Sequence, residues 1–152
     1  MIRPEPKLIE KALRIAYKEA LKAYEADEVP IGAAIVFDNE IISKGRNRII
    51  EKKDPTAHAE ILAIQAAAKK IKNERLVDCH LFTTLEPCAM CSGAVILARI
   101  KSVFFLAKER KLPALRDILE KKGHNHYPQA LYNPHPKYDS SLLLKNFFQN
   151  KR

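Results

Sequence analysis

Two short apolar segments joined by one short helical segment constrain the fold of this chain more than any other feature of its sequence. Residues 81–85 and 102–107 are mainly apolar and of strand length. Between them, Pro87 marks the start of a helical segment that ends near residue 97. Two strands connected through a helix lie parallel in one sheet, with a right-handed crossover. The sequence therefore predicts a sheet that is at least partly parallel.

Four other segments have the periodicity of a helix or a strand. They are an amphipathic helix over residues 7–26, a buried strand over 31–37, an antiparallel partner strand over 41–49, and a helix that follows residues 54–56 and ends near 71. Residues 139–141 predict the cap of a last helix through Asn150. Residues 108–137 show no clear period, because prolines and histidines interrupt them. We predict an α/β fold with a mixed sheet and helices on both faces.

Length and charge limit the classes of protein to which this chain can belong. Its 152 residues fit one domain spanning residues 1–152. The net charge of +9 favours binding to polyanions such as nucleic acid or an anionic membrane surface. The alternative is that the charge only keeps the surface soluble. The apolar runs are too short to cross a bilayer, and the N-terminal residues lack the apolar region of a signal peptide. We therefore expect a cytoplasmic protein without a membrane partner.

Two predicted helix starts carry the residue types of a metal site. Cys88 and Cys91 are three residues apart, so they share one face of a helix and can bind the same ion. A helix N-terminus stabilises thiolates, which are the form that zinc binds. Together with His58 the two cysteines give three protein ligands, and the fourth tetrahedral position stays open for water. Open coordination is typical of a catalytic zinc, so we predict one Zn²⁺ per chain at these residues.

The position of Glu60 predicts that it transfers protons. His58 and Glu60 are two residues apart, and such side chains reach one pocket only in the first turn of a helix. The helix-start signal at residues 54–56 places them in that turn. The backbone N–H of Ala59 has no partner within the helix there, so we predict that it donates to a substrate. Glu60 is then the catalytic acid and base rather than a fourth ligand.

Three other interpretations of the cysteines are less satisfactory. A redox pair leaves His58 and Glu60 without a role. A structural zinc site needs four ligands, and the candidates Cys79 and His80 lack a supporting spacing. A zinc-stabilised module that only binds nucleic acid does not explain a carboxylate beside an open zinc position. We predict that Cys79 is a small buried apolar residue without chemistry, and that His80 is structural.

His-x-Glu followed by Pro-Cys-x-x-Cys resembles the signature of the cytidine deaminase-like superfamily. Within it, the chain is most similar to bacterial tRNA-specific adenosine deaminases. The similar segments are residues 54–60, 84–94, 99–100, 123–126 and 147–148. The resemblance implies a three-layer fold with about five strands, a bound Zn²⁺, a homodimer, and conversion of adenosine to inosine at the wobble position of a tRNA anticodon. Residues 54–60 are also similar to guanine deaminases, so a free base or nucleoside such as guanine, cytosine or cytidine is the alternative substrate.

The resemblance also suggests residues that contact the substrate. Asn47 matches the asparagine that contacts the target nucleoside in the family. Glu86 is compatible with a substrate contact, with a role in orienting the following helix, or with a solvated charge. Asn125, between two histidines, is compatible with the mouth of the site or with a surface loop. Residues 108–115 replace the Gly- and Lys-containing loop of the family, which lies near the substrate there. A phosphate-binding rim is a further hypothesis for the basic doublets at 52–53, 69–70, 121–122 and 151–152.

Overall fold

Five strands of the computed structural model, which describes residues 3–151, form one mixed sheet. They are β1 (Gly32–Phe37), β2 (Glu40–Arg46), β3 (His80–Thr83), β4 (Ser102–Phe105) and β5 (Gln129–Tyr132), in the spatial order β2-β1-β3-β4-β5. The described helices are α1 (Pro6–Glu25), α2 (Ile49–Lys52), α3 (Ala59–Ile71), α4 (Ala89–Ala98), α5 (Leu115–Leu119) and α6 (Ser140–Gln149). The predicted α/β class with a mixed sheet is confirmed.

The hairpin of β1 and β2 is antiparallel, as predicted. Asp38 and Asn39 connect the strands with φ values of 51° and 63°, and left-handed conformations at both positions fit a tight two-residue hairpin turn. β2 ends at Arg46, three residues before the predicted end, because the chain turns there and forms α2 from Ile49.

β3, β4 and β5 run parallel to one another, and α4 connects the first two of them. The predicted parallel connection over residues 81–107 is therefore confirmed. Since β1 is antiparallel to both β2 and β3, the strands β2 to β5 all end at the edge of the sheet where β1 begins. We call this the carboxyl edge. In α/β sheets, the carboxyl ends of strands are the usual location of a binding site.

Each face of the sheet carries its own apolar core. α1 covers one face, where Phe82 and Phe104 stack with ring centroids 4.7 Å apart. α3 and α4 contribute to the core of the other face, together with Leu115 of α5. Gly45 lets α3 approach β2, because a Cβ atom there would lie 2.5 Å from the carbonyl oxygen of Ala59. This close approach fixes the first turn of α3 against the carboxyl edge.

Residues 108–137, for which the sequence shows no clear periodicity, contain α5 and β5. Neither element was predicted. Both are short, and each forms by packing on segments that precede it in the chain: α5 on the turn before α4, and β5 along β4. The last helix is confirmed, and Asp139 caps it by accepting a hydrogen bond from the N–H of Leu142 at 3.0 Å. Over residues 3–151, no helix combines the length and apolarity that a membrane crossing requires.

Candidate metal centre and active site

His58, Cys88 and Cys91 bring their ligand atoms within 4.8 Å of one another. The Nδ1 atom of His58 lies 3.7 Å from Sγ of Cys88 and 3.6 Å from Sγ of Cys91. A tetrahedral zinc with Zn–S bonds of about 2.3 Å and a Zn–N bond of about 2.0–2.1 Å separates sulfur and nitrogen ligands by about 3.6 Å. The three side chains therefore fit a zinc ion without rearrangement.

The starts of α3 and α4 hold these ligands. His58 precedes α3 and Cys88 precedes α4, both with extended backbone, and Cys91 lies in the first turn of α4. Both helices begin at the carboxyl edge, since α3 follows β2 and its neighbouring loop, and α4 follows β3. The partial positive charges of two helix N-termini thus act on one small volume, where they stabilise thiolates.

The two thiols differ in acidity. Hydrogen bonds with Cys91 and His58 lower the pKa of the Cys88 thiol to about 4. The contact with Cys88 and burial raise the pKa of the Cys91 thiol above its ordinary value. The hydrogen bond with Cys88 also raises the pKa of His58. Zinc binds thiolates and neutral imidazole, so its binding displaces the protons that this cluster retains.

Glu60 lies beside the cluster without belonging to it. Its side chain is buried, with 3% of the residue exposed, and burial raises the pKa of its carboxyl to about 7. One of its oxygens, Oε1, is buried without a hydrogen-bond partner among residues 3–151. A buried, unpartnered carboxyl oxygen next to a zinc-binding cluster is suited to exchanging protons with a bound molecule.

Asn47 is buried at the end of β2, and its Oδ1 atom accepts a hydrogen bond of 2.8 Å from the N–H of Ala59. The prediction that this N–H is free for a substrate is therefore corrected: the Asn47 side chain satisfies the open donor at the start of α3. The same bond fixes the orientation of the amide, because its N–H₂ group must point away from Ala59. Asn47 is thus placed next to the metal ligands and keeps two donors.

Glu86 is fully buried and has four hydrogen-bond donors around its carboxylate. Arg116 donates from Nε and Nη2 at 3.0 Å each and from its backbone N–H at 2.9 Å, and Glu109 donates its backbone N–H at 3.2 Å. The interpretation as a solvated charge is wrong, and a carboxylate with this many protein donors has no free position for a substrate. Of the three predicted roles of Glu86, the remaining one is to orient the start of the helix that follows it.

Asn125 lies away from the other candidate residues. Its Oδ1 atom accepts a hydrogen bond of 2.8 Å from Arg99, which follows α4, and His126 contacts the carbonyl oxygen of Ile100 at 2.6 Å. α4 is ten residues long, so its two ends are about 15 Å apart. The structure does not bring Asn125 to the metal ligands of the same chain, because residues 123–128 lead into β5 at the opposite edge of the sheet.

The basic doublets do not share one surface. Residues 52–53 end α2 close to the carboxyl edge, whereas residues 69–70 lie near the end of α3, about 16 Å along the helix from the metal ligands. Lys151 pairs with Asp27, which follows α1. Arg152 lies outside the described residues. A single rim formed by all the doublets is therefore not what the structure shows.

Cys79 and His80 lie outside the cluster, as predicted. Cys79 is buried, and burial raises the pKa of its thiol to about 11, so it stays a neutral thiol. His80 is buried beside Ser102, and burial lowers the pKa of its imidazole to about 4. Both residues are at the start of β3, at the edge of the sheet opposite the metal ligands.

Two contacts that shape the site were not predicted from the sequence. Glu28 accepts hydrogen bonds from the N–H groups of Ile50 and Glu51 at 3.1 and 2.9 Å, and so caps the start of α2 next to Asn47. Arg116 pairs with Glu86 as described above. Both contacts join residues more than 20 positions apart, and neither leaves a periodic or motif signal in the sequence.

Comparison with known proteins agrees with this geometry. Residues 6–107 match the family model of the cytidine and deoxycytidylate deaminase zinc-binding region. A tRNA-specific adenosine deaminase of Aquifex aeolicus (strain VF5) is 44% identical over 143 residues, which are 92% of this chain and 93% of that protein. A solved structure from studies of A-to-I editing by tRNA:A34 deaminases at the wobble position of transfer RNA superposes with a TM-score of 0.82 at 35% identity, covering 89% of this chain and 99% of the other. The guanine deaminase of Bacillus subtilis superposes with a TM-score of 0.63 at 32% identity, covering 94% and 96%.

Proposed function

Because the chain belongs to the tRNA-specific adenosine deaminases within the cytidine and deoxycytidylate deaminase zinc-binding family, we propose that it converts adenosine to inosine at the wobble position of a tRNA anticodon. The reaction consumes water and releases ammonia. The observation that carries the proposal is the site itself: three ligand atoms at zinc-binding distances, beside a carboxyl oxygen of Glu60 that has no partner in the part of the chain that the structure describes.

His58, Cys88 and Cys91 would hold the zinc ion. When bound, zinc acts as a Lewis acid and lowers the pKa of water from about 15.7 to roughly 7. The buried side chains of Cys91 and Glu60 and the starts of two helices would lie around the ion, and the helix starts favour the ionised thiols.

Glu60 carries out the proton transfers. It removes a proton from the attacking water and delivers a proton to the ring nitrogen N1 of adenine while the new C6–O bond forms. It then takes the second proton from the new C6 hydroxyl group and passes it to the amino group, so the C6–N bond breaks, ammonia leaves and the C6=O bond of inosine forms. Its location in the first turn of α3, close to Cys88, Cys91 and His58, supports this role. One carboxylate thus serves as base and then as acid.

Asn47 orients the target nucleoside in this proposal. Its carbonyl oxygen is occupied by the N–H of Ala59 at 2.8 Å, so the side chain is held in one orientation. Its N–H₂ group is the part that remains able to donate to an acceptor atom of the base or ribose. Asn47→Ala should raise the KM for substrate more than it lowers kcat, because the variant keeps the metal ligands and Glu60.

The choice of an RNA substrate rests on two further observations. Relatives 37% to 47% identical to this chain are named tRNA-specific adenosine deaminases. The net charge of +9 favours a polyanion, and residues 52–53 place positive charge near the carboxyl edge. A cytoplasmic location belongs to the same proposal, because that is where tRNA is modified in a bacterial cell.

An ammonia-release assay tests the proposed substrate. The zinc-loaded protein is given an anticodon stem-loop with adenosine at the wobble position, the same stem-loop with guanosine there, free adenosine, guanine, cytosine and cytidine. We expect turnover of the adenosine stem-loop only, and a binding affinity that falls steeply as salt rises from about 50 to 200 mM. Turnover of guanine or cytosine with no reaction on the stem-loop would favour the alternative of a free-base deaminase.

We also propose that the chain forms a homodimer through α4. This helix has no charged residue, and Leu97 on its outer side is 79% exposed. An apolar helix with an uncovered side is typical of a protein interface. Leu97→Glu should shift the mass measured by light scattering from two chains to one, whereas Leu142→Glu, an equally polar change on α6, should leave the mass unchanged.

A further inference from the structure

Residues 108–116 follow β4 at the carboxyl edge and run directly along the metal-binding turn. Ala114 and Cys88 form an antiparallel bridge, and the N–H of Leu115 donates to the carbonyl oxygen of Pro87 at 3.1 Å. This segment therefore forms one side of the space next to the ligand Cys88, and a change in its position changes that space. This is also the segment in which the sequence differs from the family's loop.

Both ends of the segment attach to one buried carboxylate. Near its start, Glu109 donates its backbone N–H to Oε1 of Glu86 at 3.2 Å. At its end, Arg116 donates its backbone N–H and its guanidinium to the same side chain, with the guanidinium bonds both at 3.0 Å. We call this arrangement of Glu86, Arg116 and the N–H of Glu109 the Glu86 bracket.

The stretch between the two attachment points has little packing of its own. Residues 110–113 are exposed, with Leu112 66% exposed, and the polar contacts of the stretch include the N–H of Lys111 on the Glu109 carboxylate at 2.8 Å. Segments with few buried apolar contacts open at low free-energy cost. The position of residues 110–113 therefore depends on the residues at their two ends, namely on the hydrogen bonds to Glu86 and on buried Ala114 and Leu115, rather than on apolar packing of their own.

Arg116 contributes the part of the bracket that a backbone cannot supply. Its planar guanidinium makes two parallel hydrogen bonds to Glu86, and its carbon atom Cζ lies 5.9 Å from the ring centroid of Phe105. A paired guanidinium fixes the orientation of a carboxylate, whereas a lysine would make a single contact without this geometry. The Arg116 side chain is 42% exposed, so it closes the bracket from the solvent side.

We propose that Arg116 is a positioning residue for substrate binding, which holds residues 108–115 through Glu86 as a fixed wall of the space beside Cys88. The proposal rests on the proposed deaminase function and adds to it the determinant of substrate affinity. Arg116 does not touch the reacting atoms in this scheme. Its loss loosens the wall and lowers affinity for the target nucleoside, while the metal ligands and Glu60 stay in place.

Arg116→Met tests the proposal, because methionine keeps apolar bulk near Phe105 but cannot bind Glu86. We expect KM for the adenosine stem-loop to rise about tenfold or more with kcat changed less than about threefold, since hydrogen bonds between charged groups contribute at this level. Arg116→Lys should recover part of the affinity. The matched control is Arg14→Met, which removes an arginine paired with Glu10 at 3.4 Å on α1 and should leave both constants unchanged.

Amide hydrogen exchange measured by NMR gives a readout that needs no substrate. In zinc-loaded Arg116→Met, the N–H groups of residues 109 and 116 should exchange at least about tenfold faster, and those within α3 should keep their protection. Unchanged exchange at 109 and 116 would overturn the proposal. Faster exchange with an unchanged KM would also overturn it, because the wall would then have no effect on binding. If the wild type deaminates only a free base, the proposed RNA substrate fails, and the Arg116 proposal is decided by KM for that base.

Discussion

The first turn of α3 and the turn before α4 each contain a buried glutamate, and the two carboxyl groups differ in how many hydrogen bonds the protein gives them. Glu60 has a carboxyl oxygen without a partner among residues 3–151, and burial raises its pKa to about 7. Glu86 receives hydrogen bonds from Arg116 and from the N–H of Glu109. Both carboxylates are within two residues of a metal ligand in the sequence. The difference indicates that Glu60, whose carboxyl group is incompletely paired, takes part in the reaction. Glu86, whose carboxylate is fully hydrogen-bonded, stabilises the structure around the site.

The largest loss of activity should follow substitution of the metal ligands, which both turns hold in place. Cys88→Ser should lose most of the bound zinc and all measurable deamination, because a serine hydroxyl is a much weaker zinc ligand than a thiolate. Zinc content measured by mass spectrometry together with ammonia release checks this. Cys79→Ser changes the same atom away from the cluster and should leave zinc content unchanged. Retention of a full zinc equivalent in Cys88→Ser would show that the ligand assignment is wrong.

Glu60→Gln should separate proton transfer from metal binding. We expect zinc content to stay at one per chain while kcat falls by about 10²–10⁴-fold, the range typical of a general acid–base residue. Its thermal stability should equal or exceed that of the wild type, because the variant replaces a buried carboxyl group that lacks full pairing. A variant that loses zinc would mean that Glu60 is a ligand.

Glu86→Gln should have the opposite profile. The amide presents its N–H₂ group to some of the donors that face Glu86, so we expect the free energy of unfolding to fall by about 3 kcal/mol, near the lower end for a broken buried ion pair because Arg116 is partly exposed. Urea unfolding of the zinc-loaded protein measures this change. The comparison between the two turns breaks down if Glu60→Gln destabilises the protein more than Glu86→Gln does.

His80 sharpens the comparison, because its buried Nε2 atom also lacks a partner within the described residues 3–151, but it lies at the opposite edge of the sheet. Burial lowers its pKa from 6.5 to about 4, so the folded state disfavours the charged ring. Its contribution to stability is complete above pH 6.5 and is lost as the pH falls toward 4. At pH 5 the loss should reach about 2 kcal/mol. Thermal unfolding of His80→Phe and wild type between pH 7 and pH 5 checks this, and the variant should show a flatter pH dependence.

The metal ligands were predictable from sequence because their spacing carries the geometry. Cys88 and Cys91 share a helix face through a separation of three residues, and a helix start is recognisable from Pro87 and from residues 54–56. The parallel order of β3 and β4 followed from their connection through α4 in the same way. Local rules of this kind hold wherever the chain between two groups is short and regular.

Contacts between segments that are distant in the sequence could not be predicted from residue spacing. The pairing of Glu86 with Arg116 spans 30 positions, and the hydrogen bond from Ala59 to Asn47 depends on where β2 ends relative to α3. The sequence left two interpretations of Asn125 open for the same reason, because residues 108–137 are organised by packing on β4 and α4 rather than by a period of their own. A side chain's neighbours in these regions follow from the tertiary fold alone.

The Glu86 bracket has a consequence for how this protein family can diversify. Because both ends of residues 109–116 are fastened to one carboxylate, the exposed residues 110–113 behave as a short closed loop whose anchors stay in place when its content changes. Doubling the length of such a loop costs only about 0.6 kcal/mol in closure entropy. Insertions, deletions and exchanges of residue type there leave the zinc ligands and the folding free energy nearly untouched. The bracket thus lets this stretch change its length and residue types while its two anchors, one of them close to the ligand Cys88, stay in place.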